Sequence, residues 1–170
     1  NPGGKLVPDS VSPIPSGNCL VNSPPKIFTE SDCDVPLTDR YIVLNSSVDC
    51  APKSNGMKLT GDCPQVVDCQ GFALTSPYNA VEASKNENVT IMNCLFDNQI
   101  VIGGSQLDDL APRQVSVIDN VRVEGSIAMP FCVGGLTAIA NSFQFEFFVK
   151  DSLFFSCVEG VWIIGLLSGT

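Results

Sequence analysis

Between about residues 40 and 165 the chain is built from short β-type runs that recur at nearly constant spacing. Gln65–Leu74 (QVVDCQGFAL), Val89–Asn98 (VTIMNCLFDN), Val115–Gly125 (VSVIDNVRVEG) and Phe147–Phe155 (FFVKDSLFF) each carry one Asp or Asn near the middle of an apolar stretch. These central residues, Asp68, Asn93, Asp119 and Asp151, stand 25, 26 and 32 residues apart. After each comes a second apolar run bounded by small residues: Ala80–Ala83, Gln99–Gly104, Phe131–Gly135 and Val161–Gly165. Two or three short strands per repeat, with no helical period between them, predict a chain climbing in successive turns of parallel strands. A unit of this size cannot bury its apolar face alone and must stack on its neighbours. The expected fold is therefore all-β: a single-domain parallel β-helix of about four to five coils. In it Asp68, Asn93, Asp119 and Asp151 act as polar anchors, bonding backbone groups that each bend leaves unpaired, in preference to forming a carboxylate array.

The flanks differ from this body. Residues 1–28 hold Pro2, Pro8, Pro13, Pro15, Pro24 and Pro25, which exclude helix and predict an extended arm. Leu6, Val7, Val11 and Ile14 give that arm apolar teeth suited to a neighbour's groove or sheet edge. Residues 29–170 form the expected β-helix. Its last part has Glu146, Lys150, Asp151 and Glu159 as the only charges after residue 125, while six of ten phenylalanines fall between Phe143 and Phe155. Phe143, Phe145 and Phe147 share one face of an alternating run, and Trp162, Ile164 and Leu166 follow in a stretch too short to span a bilayer. An uncapped apolar coil exposes core and strand edge, so a lid is expected. A second copy, the arm, or sequence beyond Thr170 could supply it, and repeated head-to-tail covering by copies would generate a filament.

Composition narrows the partners. The 170 residues combine 44% hydrophobic content and a mean hydropathy of +0.22 with a formal net charge of -9. Nine Lys and Arg against eighteen Asp and Glu leave no basic stripe, which argues against nucleic acid. The eight cysteines, Cys19, Cys33, Cys50, Cys63, Cys69, Cys94, Cys132 and Cys157, include no CxxC pair, and no histidine is present to complete a zinc site. Disulfides in an extracellular, oxidising compartment are expected. First-choice pairs are Cys19–Cys33, Cys69–Cys94 (with stacked free thiols as the alternative) and Cys132–Cys157; Cys50 and Cys63 flank a turn-rich loop. The sequons at Asn45 and Asn88, each beside a predicted turn, add covalent N-glycans to the expected partners.

Asn88–Asn98, read as a repeat unit, resembles the right-handed parallel β-helix (pectin-lyase-like) superfamily that includes pectate lyases and polygalacturonases. The resemblance covers about residues 40 to 165 and implies polysaccharide cleavage. Polygalacturonase-like hydrolysis would need a histidine in a Gly-His-Gly motif and an Arg-Ile-Lys motif; both are absent, and only Asp108-Asp109 matches. Pectate-lyase-like elimination would need calcium-binding acids beside an arginine base. The arginines are Arg40, Arg113 and Arg122, with Arg113 near Asp108 and Asp109, Arg122 near Asp119, and no motif joining them. No catalytic residue and no cofactor is expected, calcium being the one metal that the resemblance implies. The primary reading is a non-catalytic structural protomer of a secreted filament or surface layer, assembled through the arm and the apolar C-terminal coil. The alternative is a polysaccharide-binding or catalytically incomplete pectate-lyase-like domain, with Tyr41, Tyr78 and Trp162 facing sugar. An adhesin-like display domain cut from a longer chain is a third reading.

Overall fold

The computed structural model describes residues 24–61, 63–83, 88–103, 114–124, 136–140, 145–155 and 161–165. They form β1 (Lys26–Ile27), β2 (Pro36–Leu37), β3 (Tyr41–Val43), β4 (Val48–Asp49), β5 (Met57–Leu59), β6 (Gln65–Asp68), β7 (Ala73–Thr75), β8 (Asn79–Ala83), β9 (Val89–Phe96), β10 (Gln99–Gly103), β11 (Gln114–Glu124), β12 (Leu136–Ala140), β13 (Phe145–Lys150), β14 (Leu153–Phe155) and β15 (Val161–Gly165). A single turn of 3-10 helix, Glu30–Asp32, lies between β1 and β2. The class is all-β.

All pairing among the described strands is parallel. One sheet runs β1-β3-β6-β9-β11-β13, with β14 also on β11, β7 on β9 and β4 on β7; the other runs β2-β5-β8-β10-β12-β15. Parallel neighbours cannot be joined by a tight hairpin and need a crossover. Here the crossover between successive strands of one sheet contains a strand of the other. Each path carries six strands. The first strand of each path, β1 and β2, is two residues long and too short to show alternation. Residues Lys26 and Ile27 of the expected arm thus belong to a sheet, while residues 1–23 lie outside the description. The second apolar run expected at Phe131–Gly135 also lies outside it, and the strand found in that region is Leu136–Ala140.

The alternation within β9 and β11 explains how one strand turns a corner. In β9, Val89 and Ile91 point into the core, then the phase slips at Asn93, and Cys94 and Phe96 point inward instead. In β11, Ser116 and Ile118 are buried, and after Asp119-Asn120 the inward positions become Val121 and Val123. Side chains on a strand alternate with a period of two, so an inward pair three residues apart requires a bend between them. Accordingly β9 pairs with β6 before the bend and β7 after it, and β11 pairs with β13 and then β14. Both sheets contribute to one core that includes Phe28, Leu44, Met57, Leu74, Ile91, Ile102 and Ile118.

At Gly56 a close approach excludes any side chain, because a Cβ there would collide with the Ala80 carbonyl. Its amide donates to Asn79 O (2.8 Å) and its carbonyl accepts from Asp34 N (2.9 Å), which locks the loop before β5 against the start of β8.

Candidate functional site

Bends in successive rungs stack on one another and build a polar column. Asn93, Asn120 and Asp151 have φ of 54°, 52° and 47°. This left-handed region is open to Asn and Asp because their short polar side chains can bond locally. Asn120 Nδ2 donates to Asn93 Oδ1 (2.9 Å), and Asn93 Nδ2 donates to Asp68 Oδ1 (3.0 Å), which also accepts from the backbone N of Gln70 (2.9 Å). The earlier bend, between β6 and β7, is longer: Cys69-Gln70-Gly71-Phe72 uses left-handed φ at Gln70 (52°) and Gly71 (85°).

This geometry corrects the expected anchor set. Asp68 and Asp119 both register with Met92, so they occupy one column, whereas Asn93 and Asp151 occupy the next. The residue of the third repeat that stands in the bend column is Asn120, which sequence spacing passed over. Asp119 faces Lys150 instead, with Nζ at 3.7 Å from its carboxylate and 3.5 Å from that of Asp151.

Along the column runs a shallow groove of about 300 Å³, lined by Gly71, Asn93, Cys94, Leu95, Asn120, Val121, Arg122, Asp151 and Leu153. Amide, guanidinium and carboxylate groups here lie beside the exposed side chains of Leu95 and Leu153. Such a surface can hydrogen-bond a hydroxylated chain and cover its apolar edge. No group of three or more His, Cys, Asp or Glu among the described residues is placed to hold a metal ion. Of the arginines, Arg122 lines the groove and Arg40 lies 5.5 Å over the Tyr41 ring, while Asp108, Asp109 and Arg113 fall outside the described residues. Tyr41 and Tyr78 are both exposed but sit on different elements, the first in β3 and the second in the turn before β8.

No family model, curated protein or solved structure matches the chain.

The cysteines bind rungs together. Cys69 and Cys94 form a disulfide with a Cα separation of 4.8 Å, joining β9 to the bend after β6. Cys33 bonds to Cys50, at a Cα separation of 5.7 Å, and not to Cys19 as expected. The reason is placement: the 3-10 turn delivers a buried Cys33 to the core side of the residue that follows β4, and Cys50 there is equally buried. Cys63 is disulfide-bonded as well, and Cys19, Cys132 and Cys157 lie outside the described residues.

Other polar side chains bridge neighbouring rungs at two further places, the segment between β9 and β10 and the start of β6. Asn98, buried, donates to Ser76 O (3.1 Å) and Pro77 O (3.0 Å) and accepts from Gln99 N (2.9 Å), while Gln99 Nε2 donates to Asn79 Oδ1 (2.6 Å). Asp97 accepts from Ser76 N (2.9 Å), and burial pushes its carboxyl above the ordinary range. Gln65, fully buried, donates to Leu37 O and Asp39 O (both 2.9 Å) and accepts from Gly61 N (2.9 Å). Sequence reading missed both Asn98, which sits in the polar triplet Asp97-Asn98-Gln99, and Gln65, which follows Pro64 at the head of an apolar run.

Of the sequons, Asn45 is exposed on the bend between β3 and β4, and Asn88 is partly buried just ahead of β9, its carbonyl accepting from Gln65 N (3.0 Å). Among the assembly candidates, Phe145 and Phe147 lie in β13, and Trp162 and Ile164 in β15, the outermost strands of the two sheet paths. Leu6, Val7, Val11, Ile14, Phe143 and Leu166 lie outside the described residues. No helix among the described residues is long and apolar enough to cross a membrane.

Proposed function

We propose that the two parallel sheets are walls of a β-helix of the pectin-lyase-like type, and that the protein is a structural protomer of an extracellular, glycosylated filament or surface layer. The observation that carries this reading is the far edge of the larger sheet. There β13 and β14 pair with β11 alone among the described strands, and Phe148, Val149 and Leu153 stand exposed. Unpaired N–H and C=O groups beside exposed apolar side chains are a template for another strand, and a second copy is the occupant that repeats without limit. Disulfides between rungs fit an oxidising exterior, and the exposed Asn45 fits a glycan acceptor. The test is sedimentation velocity and negative-stain imaging of the full chain beside the variant Phe148→Lys/Leu153→Lys. Elongated oligomers in the parent and their loss in the variant are expected. A parent that stays monomeric at every concentration overturns the reading.

The groove supports a second reading, polysaccharide binding without cleavage, in which Arg122 meets a sugar carboxylate and Asn93 and Asn120 meet hydroxyls. Titration of the chain with a soluble polyuronate, with and without calcium, should then show binding that Arg122→Ala weakens at least tenfold. Equal binding by that variant removes it.

A further inference from the structure

In the bend column each amide hands a hydrogen to the rung before it: Asn120 to Asn93, and Asn93 to Asp68. The register extends this column by one more position. Asp119 pairs with Lys150 and Arg122 with Leu153, so Asn120 lies against Asp151, and their φ values, 52° and 47°, are nearly the same. An asparagine at 151 would donate to Asn120 Oδ1, which accepts no hydrogen bond among the described residues. An ionised aspartate has acceptors only. Asp151 therefore leaves the column broken after Asn120, although its carboxylate could still accept a hydrogen from a further residue, as Asp68 does from Asn93.

We propose that Asp151 is a stop built into the β13–β14 edge: it breaks the amide column after Asn120, and its charge opposes the stacking of a second copy. This rests on the self-assembly reading given above. Two physical effects act together. An incoming strand must desolvate a carboxylate whose charge Lys150 offsets only in part, and edge charges of this kind are how sheets resist uncontrolled pairing. Each copy also carries a net charge of -9, so Asp151 adds to repulsion that is already present between copies. Lys150, 3.5 Å from the Asp151 carboxylate and 3.7 Å from that of Asp119, offsets part of this charge but supplies no rung-to-rung bond in the column.

The test is Asp151→Asn, made alone and together with Asn120→Gly, a change that keeps the left-handed bend and removes the amide partner. Thermal unfolding should show a gain of about 2–4 °C for Asp151→Asn in the parent and none in the Asn120→Gly background. Sedimentation velocity should show Asp151→Asn associating at about one tenth of the parent's concentration, with Asp151→Ser, which also removes the charge, doing the same. A gain that survives Asn120→Gly is the bend preference of asparagine by itself and overturns the proposal. Equal association of Asp151→Asn and an associating parent also overturns it. If both stay monomeric, the assembly reading fails and the stop with it, even where the coupling to Asn120 is found.

Discussion

The two ends of the larger sheet solve the same problem in opposite ways. At the near end, β1 is backed by a buried Phe28, and the chain then folds over through the Glu30–Asp32 turn. Asp32 fixes that turn by accepting from the backbone N and the hydroxyl of Thr29 (both 2.9 Å) and from Lys26 Nζ (2.8 Å). Just beyond, Asp34 takes Lys58 (2.6 Å) and Asn55 (3.0 Å), and Cys33 is bonded to Cys50. Ile27 is about half exposed there, yet it sits among these fastenings. At the far end Phe148, Val149 and Leu153 are exposed, and the polar contacts among the described residues are Ser152 Oγ, donating to Lys150 O (2.7 Å) and accepting from Val121 N (3.1 Å), and the longer pairs that Lys150 makes with Asp119 and Asp151. The same strand pairing runs through both ends. What differs among the described residues is that a disulfide and a larger set of turn contacts fasten the near end, while the far end has the bonds of Ser152 and Lys150 beside exposed apolar side chains.

Opening the fastened end should have the largest effect. Cys33→Ala/Cys50→Ala releases a link between residues 17 apart and should lower stability by about 3 kcal/mol, a fall of about 6–12 °C in Tm by calorimetry. An unchanged Tm would mean that this end owes little to its cross-link. Gln65→Ala comes next: it removes the bonds to the Asp39 carbonyl and the Gly61 N–H, while Leu37 O keeps Thr60 N (2.9 Å), a loss of about 2 kcal/mol read from the denaturant midpoint and from faster exchange of the Gly61 amide. At the far end, Phe148→Lys/Leu153→Lys should move stability by no more than about 0.5 kcal/mol while abolishing association, and a large loss of stability would place those side chains in the core after all.

The finest contrast is in pH dependence. The hydrogen bond from Lys58, then that from Asn55, hold the Asp34 carboxyl below its ordinary value. Its stabilising effect is therefore complete above the unfolded value of about 3.8 and fades as pH falls through the lower folded one. Asp97 has the reverse sign: burial raises it, so its ionised form opposes folding at neutral pH and that opposition vanishes on acidification. Tm measured from pH 7 down to pH 2 should show Asp34→Asn weaker than the parent at pH 7 and level with it at the acid end. Asp97→Asn keeps an acceptor for Ser76 N and should be at least as stable as the parent at pH 7. Parallel profiles for both variants would sink this assignment.

Much of the fold was legible because strands repeat in size and polarity. The runs at 65–74, 89–98 and 147–155 fall on the larger sheet and those at 80–83, 99–104 and 161–165 on the other. The bend column was legible only in part. Its signal was present as a break in alternation, from Val89 and Ile91 to Cys94 and Phe96, but aligning repeats on one central Asp or Asn hid it and, where two stand side by side, selected Asp119 over Asn120. What the bend requires is a left-handed φ, and amides meet that requirement as well as acids do. Cys69–Cys94 could be proposed from equal positions one repeat apart. Cys33–Cys50 could not, because it depends on a three-residue turn that carries no periodicity. Gln65 and Asn98 stayed hidden for a similar reason: their partners are backbone groups from other rungs, which a sequence does not bring together.

The Cys69–Cys94 bond joins residues 25 apart in the chain that already sit on adjoining rungs. If the molecule were drawn out by its ends, roughly 80–90 Å of extended chain between those two sulfurs would be withheld from lengthening, at about 3.3–3.6 Å per residue. Tension would bypass the loop and pass through the cystine. A strand-bearing polymer made of such units would yield in short, bounded steps, and reducing conditions would lengthen each step.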